Sequence, residues 1–356
     1  MADPRVSVIP GDGIGVEVTE AALAVVDAAL GTQGVALTYQ TIAGGAGYFQ
    51  ETGKDIEPGG EARAGEADAI FLGAIGLPTV RHADGTEISP HLRLRDRYGL
   101  YAGVRPVKAY PTAPQRLADP RAAGIDLVIL RESTEGLFYS AAVHGRSREE
   151  DDAVYDTLRI SGDVSRRLFR FGFDLAARRR GRITCVDKAN VFRSMAFFRD
   201  LFDAEAAANP GLTADHAYVD AMALNLVREP WDYDVLVMEN MFGDILSDLA
   251  GGLVGGMGMA ACGEIGDEIG LFQPAHGSAP DIIGQDAANP LAAILSGALM
   301  LDDLARRGAG DRYGAAAGAI NRAVDAGFSE GAIRPKEFGG PMGTRAVAAA
   351  VLARLG

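Results

Sequence analysis

The chain has 356 residues, 48% hydrophobic and 23% charged, with a formal net charge of −14, the balance of a soluble globular protein of one elaborate domain or two. That charge argues against nucleic acid and anionic membrane surfaces as partners, since both require surplus Lys and Arg. Two cysteines outside any C-x-x-C, no apolar run able to span a membrane and no signal peptide lead to an expected cytoplasmic location.

Residues 6–9 read as a buried strand that ends in P-G-D-G-I-G at 10–15, with a helix beyond it. The glycine loop is not a dinucleotide fingerprint. The third glycine would fall at Val16, and no acidic residue closes the next strand near 37–40. Residues 68–73 give a second strand, and 89–107 then gather His91, Arg93, Arg95, Arg97 and Arg105. Strands at 126–130 and 182–186 deliver Arg131, Glu132 and Ser133, then Asp187, Lys188 and Asn190, just past their ends. Stretches at 218–220 and 234–238 complete the strand set. A polar piece with the acidic run 149–152 is expected as an exposed arm or loop. Glycine-rich 251–289 reads as a loop system, and His276 and its followers head a helix running through 288–301. Apolar strands alternating with helical stretches indicate an α/β fold.

The organising stretch is 239–253, E-N-M-F-G-D-I-L-S-D-L-A-G-G-L, which follows the apolar run 235–238. Helical spacing of Ile245, Leu246 and Leu249 puts Asp244 and Asp248 one turn apart on one face, where like charges repel by roughly a few tenths of a kcal/mol. A divalent cation would offset that repulsion, although an isolated D-x-x-x-D is also compatible with a solvated face. With Asp220 the set is all oxygen, which suits Mg2+ or Mn2+ rather than zinc. Arg95, Arg105 and Arg131 can clamp two carboxylates of a small dicarboxylic acid, though each alone is compatible with a structural ion pair. Lys188 is a candidate proton acceptor. No G-x-S-x-G, H-E-x-x-H or P-loop is present, and of five histidines only His276 is placed for a ligand.

In this order the motifs resemble the isocitrate/isopropylmalate dehydrogenase family. They are L-R-x-x-x-x-L-Y-A-x-V-R-P at 94–106, R-E-S-T-E-G at 131–136, D-K-A-N-V at 187–191, V-D-A-M-A at 219–223, F-G-D-I-L-S-D at 242–248 and H-G-S-A-P-D at 276–281. The resemblance implies oxidation and decarboxylation of a (2R)-malate-type acid, with NAD or NADP and Mg2+ or Mn2+. It assigns the malate to Arg95, Arg105 and Arg131, and its substituent to Ser89, His91 and Leu92. Lys188 becomes the base for the 2-hydroxyl, and Asp220, Asp244 and Asp248 the metal ligands. His276, Gly277, Ser278, Ala279, Pro280, Asp281 and Ile282, with Asn289, would hold the cofactor's adenosine half. A homodimer is implied, because Lys188 and Asp220 would reach into the neighbouring subunit's site. The implied fold is a large sheet with helices on both faces. Residues 1–100 and 252–356 would form a cofactor domain, and 101–251 a smaller substrate and dimerisation domain with an arm.

Three positions depart from the family pattern. Phe138 replaces a tyrosine that helps protonate the enol, leaving Tyr139 as its substitute; Gly103 replaces an asparagine; Gln273 replaces a glutamate. Leu92 suits an apolar substituent, whereas Ser89, His91 and Arg93 suit a polar or carboxylated one. 3-Isopropylmalate is the leading expectation, with tartrate, D-malate, methylmalate, homoisocitrate and isocitrate as alternatives. A regulatory paralogue would have lost ligands, yet all the arginines, the lysine and the aspartates are present. Asp281-Ile282 stands where NADP-selective relatives carry a lysine-tyrosine pair, so NAD is the expected cofactor.

Overall fold

The computed structural model describes residues 3–139 and 147–356. Its strands are β1 (Arg5–Gly11), β2 (Thr38–Thr41), β3 (Ala69–Ala74), β4 (Ala102–Lys108), β5 (Asp126–Glu132), β6 (Arg148–Glu150), β7 (Ala153–Tyr155), β8 (Arg182–Asp187), β9 (Thr213–Tyr218), β10 (Val235–Met238), β11 (Ala261–Ile265) and β12 (Gly270–Pro274). Ten of them form one sheet in the order β2-β1-β3-β12-β11-β4-β5-β10-β8-β9. Strands β2, β1, β3 and β12 run parallel, as do β5, β10, β8 and β9. The antiparallel β11 and β4 join the two sets. Strands such as β3 and β10 are buried along their whole length because helices cover both faces of the sheet, which is why they read as unbroken apolar runs.

On the side of β1 and β3, helices Gly15–Gln33, Leu291–Leu304, Asp311–Ser329 and Thr344–Leu352 share the main core. On the side of β8 and β10, Gly162–Ala177 and Arg193–Ala208 cover one face, while Val219–Arg228 and Asn240–Leu253 cover the other. The 10–15 loop works as a clasp. A Cβ on Gly11, at φ +74°, would stand 1.9 Å from the Ala74 carbonyl oxygen, so the two strands meet only because this residue is glycine. Beside it the buried Asp12 carboxylate accepts from the amides of Ala46, Gly47 and Gly76 at 2.7, 2.8 and 2.8 Å.

Several sequence expectations are corrected here. The glycine-rich 251–289 stretch is more than loop: it holds β11 and β12, buried at the centre of the sheet. Small residues disguise them, because helix Leu291–Leu304 packs directly on that hairpin. No helix starts at His276; a short 3-10 turn, Pro280–Ile282, precedes a helix that begins only at Leu291. Stretch 218–220 is not a strand, since β9 stops at Tyr218 and Asp220 lies in the first helical turn after it. The acidic run 149–152 is exposed, as expected, and lies in the β6–β7 hairpin.

Ser296 pins the central hairpin to its helix: Oγ accepts from the Cys262 amide at 3.2 Å and donates to the Gln273 carbonyl at 2.7 Å. Ser296→Ala removes these bonds while the β11–β12 ladder still pairs Cys262 with Gln273, so we expect a loss of about 0.5–1.5 kcal/mol in chemical denaturation.

Candidate active site

A cleft of about 330 Å3 opens over one face of the sheet centre, between helices Pro90–Arg97 and Asn240–Leu253. Strand register builds its floor. Arg131 pairs with Gly103, Gly103 with Glu264, and Cys262 with Gln273. Paired residues, and those two along a strand, share a face. Arg131, Arg105, Glu264 and Gln273 therefore all stand on the cleft side.

The helix above spans Asn240–Leu253. Glu239 caps it, accepting from the amides of Phe242 at 2.9 Å and Met241 at 3.1 Å. A Cβ on Gly243 would sit 2.6 Å from the Arg131 Cβ, so glycine is what lets Arg131 pass beneath the helix. Asn240 Oδ1 accepts from Arg131 Nε at 3.0 Å and Nη2 at 2.6 Å, and Arg131 Nη1 pairs with Asp244. Arg105 Nη1 donates to Ser247 Oγ at 2.6 Å and lies 3.4 Å from Asp244 and 3.9 Å from Asp248. Arg95 Nη2 pairs with Glu264 at 2.9 Å. Asn240, Ser247 and Glu264 are thus the partners that the sequence reading left without roles. Of these Asn240 and Ser247 lie inside a recognised motif stretch, whereas Glu264 had no signal.

Burial, with Arg105 and Arg95 nearby, pushes Arg131 down to about 10, so it is still a cation at neutral pH. Against the cost of burial, neighbouring acids including Glu264, Asp244 and Asp248 hold Arg105 above its usual value. Partial burial raises the Asp248 carboxyl; Arg105 opposes the rise and Asp244 adds to it, in keeping with the expected repulsion. Asp244 and Asp248 offer hard oxygen donors along one helix face, which fits Mg2+ or Mn2+. Asp220 is elsewhere, 2.6 Å from Lys188 Nζ, and neither of that pair lines the cleft. Among the described residues, no three His, Cys, Asp or Glu side chains of the single chain gather to hold a metal.

Ser89, His91 and Leu92 line the cleft, but Arg93 turns away to Asp55 at 2.6 Å and Glu61 at 2.7 Å. Burial, reinforced by Arg95, drives His91 down to about 3, so its imidazole is neutral. Phe138 also lines the cleft, with the Arg131 guanidinium 5.1 Å from its ring centre. Tyr139 instead has Arg159 over its ring at 4.5 Å and is not among the lining residues. Residues Gly136–Phe138 form a helical turn.

A second cavity of about 720 Å3 shares Asp248, His276 and Gly277 with the first. Ala279, Ile282 and Asn289 line it, and so do Lys336 and Glu337, which the sequence reading missed. Glu337 accepts from the Gly258 amide at 3.1 Å and from Asn289 Nδ2 at 2.9 Å. Ser278 is buried beneath the loop, its carbonyl accepting from the Ile14 amide at 2.9 Å and its hydroxyl donating to the Gly76 carbonyl. Pro280 and Asp281 are exposed and lie outside the lining.

Residues 5–351 match the family model described as isocitrate/isopropylmalate dehydrogenase. The chain belongs to the isocitrate/isopropylmalate dehydrogenase family. It is 39% identical to a 3-isopropylmalate dehydrogenase of Anaeromyxobacter dehalogenans, across 99% of each chain. It is 40% identical to another of Salinibacter ruber, across 90% of this chain and 87% of the relative. The crystal structure of an isocitrate dehydrogenase from Methylococcus capsulatus matches 99% of both chains, with a TM-score of 0.84 at 32% identity. Members of the family are decarboxylating dehydrogenases of small hydroxy acids that use NAD and a divalent metal, and this chain is a dehydrogenase of that type. Among the described residues no helix is long and apolar enough to cross a membrane.

Behind the clamp, Glu132 accepts from the Thr134 amide and hydroxyl at 2.6 and 2.7 Å and from the Glu135 amide at 2.8 Å, shaping the turn that carries Phe138. Burial still raises its carboxyl from 4.5 to about 7. The fold favours the protonated form, so this stability is complete below 4.5 and fades as pH rises through about 7. Denaturation midpoints should therefore show the advantage of the wild type over Glu132→Gln shrinking across that interval.

Proposed function

We propose that the chain is an NAD-dependent, Mg2+- or Mn2+-dependent dehydrogenase that oxidises and decarboxylates a (2R)-malate-type acid, foremost 3-isopropylmalate. The observation that carries the choice of acid is the cleft's substituent side. Leu92 is apolar, His91 is neutral and Arg93 is tied to Asp55 and Glu61, so no free cation waits for a further carboxylate. Relatives named 3-isopropylmalate dehydrogenase support the same choice.

Arg105 and Arg131 hold the malate carboxylates, and their own anchors on Ser247 and Asn240 fix the guanidinium planes. Asp244 and Asp248, with the partner's Asp220, would hold a divalent cation, which would supply Lewis acidity at the 2-hydroxyl, and NAD held along the second cavity would supply the hydride-accepting chemistry. Lys188 of the partner subunit takes the hydroxyl proton; Phe138, not Tyr139, faces the cleft, so Tyr139 would protonate the enol only after leaving Arg159, and otherwise water supplies that proton. Exposed Val191, Phe192, Leu224, Val227 and Ile245, on elements around the Lys188–Asp220 pair, support a homodimer through that face. The adenosine half is assigned to the second cavity, along the 276–282 loop with Asn289. Two free, buried cysteines fit a reducing compartment, the cytoplasm.

The test is NADH formation with matching CO2 release by the purified chain, across 3-isopropylmalate, tartrate, D-malate, methylmalate, homoisocitrate and isocitrate. 3-Isopropylmalate should give the highest kcat/KM, and Asp248→Asn should abolish turnover while keeping the native circular dichroism. Silence with every acid would instead leave a protein that binds without turnover.

Cofactor choice gives a further prediction. Two charges about 4 Å apart at an effective dielectric near 20 interact by about 4 kcal/mol, and even a third of that is about tenfold. With the Glu337 carboxylate lining the cavity assigned to the adenosine half, and Asp281 exposed on the loop outside that lining, kcat/KM should favour NAD over NADP by about that factor. Asp281→Lys with Ile282→Tyr should narrow the gap; equal efficiencies in the unmodified protein would remove these acids from the ribose.

A further inference from the structure

Glu264 has no place in the mechanism above, yet it occupies the middle of the arginine clamp. It is fully buried in β11, its Oε1 2.9 Å from Arg95 Nη2, on the sheet face shared with Arg105 and Arg131. Burial alone would neutralise such a carboxyl; Arg95, Arg105 and Arg131 outweigh it and keep Glu264 ionised. The other carboxylate oxygen uses space that a side chain at 103 would need. A Cβ on Gly103 would stand 2.9 Å from Glu264 Oε2 and 2.6 Å from Ser133 Oγ. The glycine found where the family pattern has asparagine thus gains a physical reason. A larger residue at 103 requires the Glu264 carboxylate and the Ser133 hydroxyl to move from these positions.

We propose that Glu264 sets the charge specificity of the clamp, occupying Arg95 from the buried side so that the site favours a dianionic acid over a trianionic one. With Asp244 and Asp248 committed to the cation, three guanidinium groups face the substrate. Glu264 cancels one, leaving a surplus that matches two carboxylates and repels a third. Glu264 does not line the cleft and acts through Arg95, as a positioning residue. The rival account is a purely structural ion pair tying helix Pro90–Arg97 to β11. Such a pair would affect stability without distinguishing between ligand charges.

The inference rests on the proposed reading of the cleft as a malate-type site, and equilibrium binding tests it without turnover. Calorimetry on the full chain with Mg2+ would compare D-malate, a dianion, with tricarballylate, a trianion. Wild type should prefer D-malate, and Glu264→Gln, whose amide oxygen can still accept from Arg95, should shift the affinity ratio toward tricarballylate at least tenfold. An unchanged ratio in a folded Glu264→Gln protein overturns the proposal. Should that variant fail to fold, Glu264→Ala with Gly103→Asn refills the vacated volume without the charge, and its ratio is read the same way. Gly103→Asn alone should lower the melting temperature more than it does beside Glu264→Ala; additive shifts would disprove the shared volume. Wild type that binds neither acid removes the malate reading and this inference together, whereas D-malate binding with an unmoved ratio removes this one alone.

Discussion

Three guanidinium groups packed under one sheet face, at 5% exposure for Arg95, 7% for Arg105 and 2% for Arg131, are the constraint that the rest of the structure answers. Like charges so far from water would repel by several kcal/mol unless each met an anion or a fixed dipole. Each does. Arg95 has Glu264, Arg131 has Asn240 and Asp244, and Arg105 has Ser247 and the two helix aspartates. The partners come from β11 and from the first two turns of Asn240–Leu253, so the sheet register and the helix start are bound to the same electrostatic problem. Glu239 caps that helix, and Gly243 leaves the gap through which Arg131 enters.

The clamp is also what makes the cleft a place for an anionic acid in a chain whose net charge is −14. A local cluster of fixed guanidinium groups dominates the potential inside a cleft while the overall charge governs only the outer surface. The same reasoning explains why neutral His91 and the turned-away Arg93 matter. They leave the substituent side without a free cation, so a further carboxylate finds no partner there and discrimination favours shape and apolar contact. Lys188 and Asp220 pair with each other away from the cleft, so under the proposed function their roles fall to the neighbouring subunit's site.

The loop at 10–15 shows how a glycine motif can mislead and still be necessary. It does not have dinucleotide spacing, and its geometry is that of a joint. Gly11 allows the approach to Ala74, Asp12 gathers three amides, and Ser278 ties the 276–282 loop to Ile14. The second cavity is therefore walled by segments far apart in the chain, with Glu337 and Lys336 arriving from near its end.

The sequence alone determined the α/β alternation, the organising 239–253 stretch, the three arginines and the two helix aspartates. Those follow from local periodicity and from motifs in which neighbours in sequence remain neighbours in space. It could not reveal β11 and β12, because Gly263 and Gly270, set against the Phe272 ring, and the buried polar Glu264 and Gln273 break the apolar signature of a buried strand. Nor could it reveal Glu264 against Arg95, Glu337 against Asn289, or the rotation of Arg93 out of the cleft. Only the tertiary structure decided those. A pairing between residues distant in sequence is set by strand register and helix packing, and a one-residue slip in either would send the same side chain to the opposite face.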